Sequence, residues 1–150
     1  MENKKTKKIL LVEDNPDDVD LTLRALQKNN IMNEVIVVND GAEAMDFLLC
    51  RGKYKDYGPK CAPTVILLDL KLPKMNGHEV LKQIRSNPKT ELIPVVILTS
   101  SLEEEDIVKG YKLGANSYIR KPIDFQQFMQ AVQSLGLYWL LLNETPHSGE

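Results

Sequence analysis

The 150-residue sequence is poor in the residue types from which several kinds of site are built. It has two histidines, His78 and His147, and two cysteines, Cys50 and Cys61. That set cannot form a zinc-type ligand cluster at any usual spacing. Two cysteines also exclude a disulfide-rich scaffold, so each reads as a small buried or half-buried thiol. A surplus of one charge is missing as well. Lys plus Arg number 19 and Asp plus Glu number 21, a net charge of −2. The strong basic excess of a sequence-independent nucleic-acid binder is therefore absent, and no DNA binding is expected. No apolar stretch approaches the ~20 residues that span a bilayer. Lys4, Lys5, Lys7 and Lys8 precede only the short run Ile9–Val12, which is no secretory signal. The chain reads as cytoplasmic, without a membrane partner.

What is present suits one domain over 1–150. Hydrophobic residues make up 43 % of the chain, enough for a substantial core. Four apolar runs recur: Ile9–Val12, Val35–Val38, Val65–Leu68 and Val95–Leu98, with Tyr118–Ile119 a weaker fifth. Continuous rather than alternating apolarity predicts strands covered on both faces, as in a parallel sheet. Helix-start signals lie between them. Asn15-Pro16-Asp17-Asp18 offers a cap, a first-position proline and acids in the first turn. Asp40…Glu43, Asn76…Glu79, Ser101…Glu104 and Asp124…Gln127 have the spacing of a capping box. Apolar stripes follow: Val19, Leu23 and Leu26; Val80, Leu81 and Ile84; Phe125, Phe128, Met129, Val132 and Leu135. Five strand-then-helix units with right-handed crossovers make an open, doubly wound α/β sheet. Its ligand crevice is expected at the carboxyl ends of the strands, where strand order reverses.

Polar groups sit at those ends. Glu13 and Asp14 follow the first run, Asp69 the third, Thr99 the fourth and Lys121 the fifth. Three carboxylates in one cleft repel one another unless a cation lies among them. A hard divalent ion such as Mg²⁺, which takes one or two carboxylates and keeps several waters, is the natural counterion. Glu13 and Asp14 suit holding it, directly or through water. Asp69 suits a nucleophile that attacks phosphorus to give an aspartyl phosphate. Lys121 and the Thr99 hydroxyl would then neutralise two further phosphoryl oxygens.

These residues lie in segments that resemble the receiver domains of two-component response regulators. The matching pieces are Ile9-Leu-Leu-Val-Glu-Asp14, Leu68-Asp-Leu-Lys-Leu-Pro-Lys-Met-Asn-Gly77, Val96-Ile-Leu-Thr-Ser-Ser101, Gly114-Ala115 and Tyr118-Ile-Arg-Lys-Pro122. The resemblance spans about residues 7–135 and leaves 136–150 as a carboxyl-terminal extension. It implies a flavodoxin-like sheet of five parallel strands in the order 2-1-3-4-5. It implies that Asp69 accepts a phosphoryl group from the phosphohistidine of a sensor histidine kinase. It implies Mg²⁺ on Asp14, Asp69 and the backbone carbonyl of Lys71, with Glu13 assisting. Thr99 and Lys121 would touch the phosphoryl group, and Tyr118 would be an aromatic switch that swings inward as Thr99 moves.

Roughly 30 residues follow Lys121, too few for an output domain of ~50 residues, so output is expected through contact with a downstream protein. Arg51–Ala62 reads as a solvated connecting loop with locally packed tyrosines, or as a partner-recognition surface. Tyr138, Trp139, Leu140, Leu141 and Leu142 are too apolar to dangle. Both features resemble the small regulators paired with bacterial phytochrome-type kinases, which makes a homodimer through the fourth helix and fifth strand a further expectation. Three alternatives compete. A metal-dependent phosphatase acting through an aspartyl phosphate would often carry an aspartate where Lys71 stands. An interaction module that is never phosphorylated would not need the acidic pair, Asp69, Thr99 and Lys121. A nucleotide-binding flavodoxin-like domain would want glycines in place of Glu13-Asp14-Asn15-Pro16.

Overall fold

A computed structural model describes residues 8–28, 33–72, 75–100, 104–121 and 124–134, without the side chains of 57–61, 104, 106, 125 and 132. The elements run β1 (Lys8–Val12), α1 (Pro16–Lys28), β2 (Glu34–Val38) and α2 (Gly41–Leu48), then a 3₁₀ segment (Gly52–Cys61). They continue β3 (Val65–Asp69), α3 (Gly77–Ser86), β4 (Val95–Thr99), α4 (Glu104–Lys112), β5 (Ser117–Arg120) and α5 (Phe125–Ser134). All four strand pairings are parallel, and the sheet order is β2-β1-β3-β4-β5. The doubly wound sheet expected from the sequence is the one observed. Asp69 and Thr99 close their strands as last members rather than lying just beyond them.

Alternate residues of each strand enter separate apolar layers, as the pleat dictates. Leu10, Val12, Ile66, Leu68, Val95 and Ile97 pack against α2 and α3 through Met45, Phe47, Leu48, Val80, Leu81 and Ile84. Ile9, Leu11, Val65, Leu67, Val96, Leu98 and Ile119 pack against α1 and α5 through Leu26, Phe128, Met129 and Ala131. Strands buried on both faces explain why β1, β3 and β4 read as unbroken apolar runs.

Helix starts follow the predicted chemistry. Asn15 Oδ1 accepts the N–H groups of Asp17 at 2.8 Å and Asp18 at 3.2 Å. Asp40 Oδ1 accepts Glu43 N–H at 2.8 Å, and Asn76 Oδ1 accepts Glu79 N–H at 3.0 Å. Asp124 departs from its box and accepts Gln126 N–H at 2.7 Å. Ser101 lies outside the described residues, as do Leu135 and the apolar stretch 138–142.

One expectation is refined and one corrected. The segment after α2, expected as a solvated connecting loop with locally packed tyrosines, is a ten-residue 3₁₀ helix, and its Tyr54 does pack locally. Tyr54 from this segment is buried edge-on against Phe47, with ring centroids 5.2 Å apart. Its hydroxyl donates to Glu43 Oε2 at 2.7 Å, so its own polar tip is satisfied locally. Cys50, expected as a thiol, is disulfide-bonded. Cys50 takes a left-handed backbone (φ +52°), which turns the chain out of α2 into the packed segment, a geometry that two cysteines in a sequence do not announce.

At the amino-terminal ends of β4 and β5, Arg85 ties the turns together. Its Nε donates to Gly114 O at 2.9 Å and its Nη1 to Glu91 O at 3.0 Å and Ile93 O at 2.8 Å. Its Nη2 donates to Asn116 Oδ1 at 2.8 Å, an oxygen that also accepts Val95 N–H.

Candidate functional site

The chain leaves β1 toward β2 on one side, and β3 lies on β1's other side. The reversal opens a crevice between the carboxyl ends of β1 and β3. Glu13 is fixed there because its N–H continues the ladder to Val38 O at 3.0 Å. Glu13 is 1 % exposed and Asp69 4 %, while Asp14 beside them is open to solvent. Each of these three residues offers a carboxylate oxygen within 4.8 Å of the others. Gly77 lets the start of α3 approach closely. Its N–H donates to Leu70 O at 2.9 Å, and a Cβ there would collide with Asp69 O and come within 2.6 Å of Leu70 Cα.

Lys121 enters from the end of β5, its backbone N–H bound to Thr99 O at 2.9 Å. Its ammonium meets Glu13 Oε1 at 2.7 Å, Asp18 Oδ2 at 2.9 Å and Asp69 Oδ2 at 3.3 Å. Asp69 Oδ1 accepts the N–H of Lys71, itself exposed, at 3.2 Å. Thr99 is buried at the end of β4, the strand next to β3. Tyr118 stands apart on β5, 43 % exposed, and meets Tyr111 edge-on at 5.5 Å. Those two rings, with Arg120, Gln127 and Gln130, line a surface hollow between α4, β5 and α5.

The electrostatics follow from crowding. Burial pushes the Glu13 carboxyl up to about 7; Lys121 opposes the rise and the Asp69 charge adds to it. Burial pulls Lys121 down, but Glu13, Asp18 and Asp69 together outweigh it and hold the ammonium above its ordinary value. The two directions agree on one physical fact: this pocket has more negative charge than one lysine neutralises comfortably. A hard divalent cation fits it. The donors are carboxylate oxygens, the kind such ions take. In addition, Glu13 Oε1 is buried without a hydrogen bond of good geometry among the described residues, its counter-charge being the ammonium.

Of the residues expected to act, the structure therefore brings Glu13, Asp14, Asp69 and Lys121 into one cluster, with Thr99 joined to Lys121 through the backbone. Tyr118 is not part of that cluster. Asp18 is the contact that sequence reasoning missed. An acid in a helix's first turn is already explained by the helix dipole, so it raised no question.

An open sheet of five parallel strands in this order, with an acidic rim and a reaching lysine at the strand ends, is a flavodoxin-like fold of the receiver type. The family model of the response regulator receiver domain matches residues 9–133, and the chain belongs to that family. Response regulator Rcp1 of Synechocystis sp. is 41 % identical over 139 residues, covering 93 % of this chain and 92 % of that protein. The crystal structure of the Mn(2+)-bound form of Rcp1 superposes with a TM-score of 0.73 at 40 % identity, over 94 % of this chain and 99 % of that one. The bacteriophytochrome response regulator RtBRR is 54 % identical, TM-score 0.82, over 93 % of this chain and 84 % of that one. The phosphorylated cyanobacterial phytochrome response regulator RcpA is 42 % identical, TM-score 0.74, over 94 % and 99 %. No helix among the described residues is long and apolar enough to cross a membrane.

Proposed function

We propose that this chain is a phosphorylation switch of a two-component pathway, with Asp69 as phosphoacceptor. The observation that carries the reading is the Asp69 carboxylate at the strand rim, gathered with Glu13 and Asp14 and met by Lys121 at 3.3 Å. A carboxylate oxygen of Asp69 attacks the phosphorus of a kinase phosphohistidine. The phosphorus–nitrogen bond breaks, and its electron pair returns to the imidazole nitrogen. Lys121 then meets one phosphoryl oxygen and the Thr99 hydroxyl a second. Asp14, Asp69 and the Lys71 carbonyl, with Glu13 assisting, would hold Mg²⁺, which when bound neutralises charge on the carboxylates and the phosphoryl oxygens.

The signal leaves through protein contact. Tyr118, now turned outward against Tyr111, is the switch residue that moves inward as Thr99 engages the phosphoryl group. Residues 1–150 act as one receiver domain in the cytoplasm, with 136–150 as an extension. The kinase is of the phytochrome type, a reading supported by the names of RtBRR and RcpA. Pairing of two copies through α4 and β5 is part of the same proposal. Lys71 at the place of a phosphatase's acid/base speaks against the enzymatic alternative.

Intact mass after incubation with acetyl phosphate and Mg²⁺ tests the core of this reading. One phosphoryl adduct is expected, absent from Asp69→Asn. An adduct that persists in Asp69→Asn, or a wild type that accepts none from any phosphodonor, overturns it.

A further inference from the structure

An ammonium has three N–H donors, and Lys121 has three carboxylates around it. Two of them, Glu13 and Asp69, belong to the oxygen cluster suited to a divalent cation; Asp18 does not. Cation and ammonium therefore compete for the same two carboxylates. Asp18 is the partner that remains to the lysine when a cation takes the others.

We infer that Asp18 is a positioning residue for Lys121, drawing its ammonium toward the first turn of α1 so that Glu13 and Asp69 are available to the cation. The inference rests on the metal-dependent reading proposed above. The Asp18 side chain is 29 % exposed, against 1 % for Glu13 and 6 % for Asp69, so it holds the ammonium on the side nearest water. Like charge is tolerated best there once a second cation arrives. Asp18 is also pre-aimed. Pro16 begins the helix, and the Asn15 side chain caps the Asp18 N–H at 3.2 Å, which fixes the turn from which the carboxylate reaches. Without Asp18 the ammonium keeps only Glu13 and Asp69, and the cation must displace it from both.

Titration of the full chain with Mg²⁺ alone, by calorimetry, tests this without a phosphodonor. Asp18→Asn is expected to weaken Mg²⁺ binding roughly tenfold, and Asp18→Glu to restore most of it. Loss of negative charge anywhere nearby would weaken binding too, so the decisive comparison is made in a Lys121→Met background. There Asp18→Asn is expected to change affinity by less than about twofold, because its route through the lysine is gone. An equal loss in both backgrounds, or no loss in either, overturns the inference. Lys121→Gln serves as the second background if Lys121→Met does not fold, with far-ultraviolet circular dichroism as the check. A wild type that binds Mg²⁺ in the expected pattern but never accepts a phosphoryl group overturns the proposed function and leaves Asp18's role standing. A normal adduct with Mg²⁺ affinity indifferent to Asp18 overturns the positioning role alone.

Discussion

Lys121 and Asp69 are separated by 52 positions in the chain and meet, Nζ to Oδ2, at 3.3 Å. The contact gives the lysine two effects of opposite sign. On the proposed reading it would compete with a metal for Asp69 and stand ready for a phosphoryl oxygen. Lys121→Ala is therefore expected to slow adduct formation from acetyl phosphate by about 10²-fold, the scale of a lost charge-stabilising donor. The same variant is expected to bind Mg²⁺ more tightly. Time-resolved intact mass and a Mg²⁺ titration check the pair of outcomes, and slower phosphorylation with weaker Mg²⁺ binding would contradict the account.

At Gly77 the start of α3 lies hard against the end of β3, which carries Asp69. An alanine methyl there has Asp69 O and Leu70 Cα to push against, and backbone gives way poorly. Gly77→Ala is expected to cost about 1–3 kcal/mol in urea unfolding, in the range of overpacked sites. Because the displaced atoms carry Asp69, phosphorylation should slow as well. A control at an exposed helical position of α3, Lys82→Ala, should do neither.

The Tyr54–Glu43 bond predicts a pH signature far from the site. Burial, then the bond to Glu43, pushes the Tyr54 hydroxyl up to about 12. The folded state thus keeps a proton that the unfolded chain loses near its ordinary value of 10.0. The stabilisation is full below pH 10 and falls as pH rises toward 12. Glu43 carries the opposite sign. Burial raises its carboxyl, but Asn39 N–H, Tyr54 and Lys53 together bring it below 4.5. Its contribution is present above that value and is lost as pH falls through the lowered one. Urea midpoints across pH should show Tyr54→Phe lacking part of the wild type's decline between about pH 10 and 12, and Glu43→Gln lacking part of the acid one. Parallel profiles for wild type and Tyr54→Phe would refute the first.

Arg85 binds three backbone carbonyls and one side-chain oxygen at the pole opposite the carboxylates. Arg85→Ala leaves those acceptors to water and should lower stability by about 2–4 kcal/mol, on the scale of charged hydrogen bonds. Phosphoryl acceptance by Asp69 should survive wherever the variant remains folded, since no bond of this clip reaches the site. Loss of acceptance in a variant shown to be folded would place Arg85 in the chemistry.

Much of this architecture is readable without coordinates, and the reasons are physical. Ile9–Val12, Val65–Leu68 and Val95–Leu98 are apolar without interruption because both faces of the sheet are covered. Asp40 and Asn76 cap the helices that their spacing to Glu43 and Glu79 announced. Glu13, Asp14, Asp69, Thr99 and Lys121 are legible because polar groups at the ends of such runs converge in a parallel sheet. What stayed hidden depends on groups distant in sequence. Asp18 has an adequate local explanation and shows its second partner only when β5 delivers Lys121. The 3₁₀ segment is polar in composition, and its order comes from Tyr54 finding Phe47 and Glu43. Tyr118 reads as an ordinary strand aromatic; the switch role proposed for it rests on resemblance alone.

The hydrogen bond from Lys121 N–H to Thr99 O has a mechanical consequence. The hydroxyl and the ammonium proposed to grip the phosphoryl group are geared to one another through the main chain. On the proposed reading a pull on either would be felt by both, and Tyr118, on β5 three residues before Lys121, would ride on that gear. A single tug at the rim would then have a main-chain route to the outer edge of the sheet.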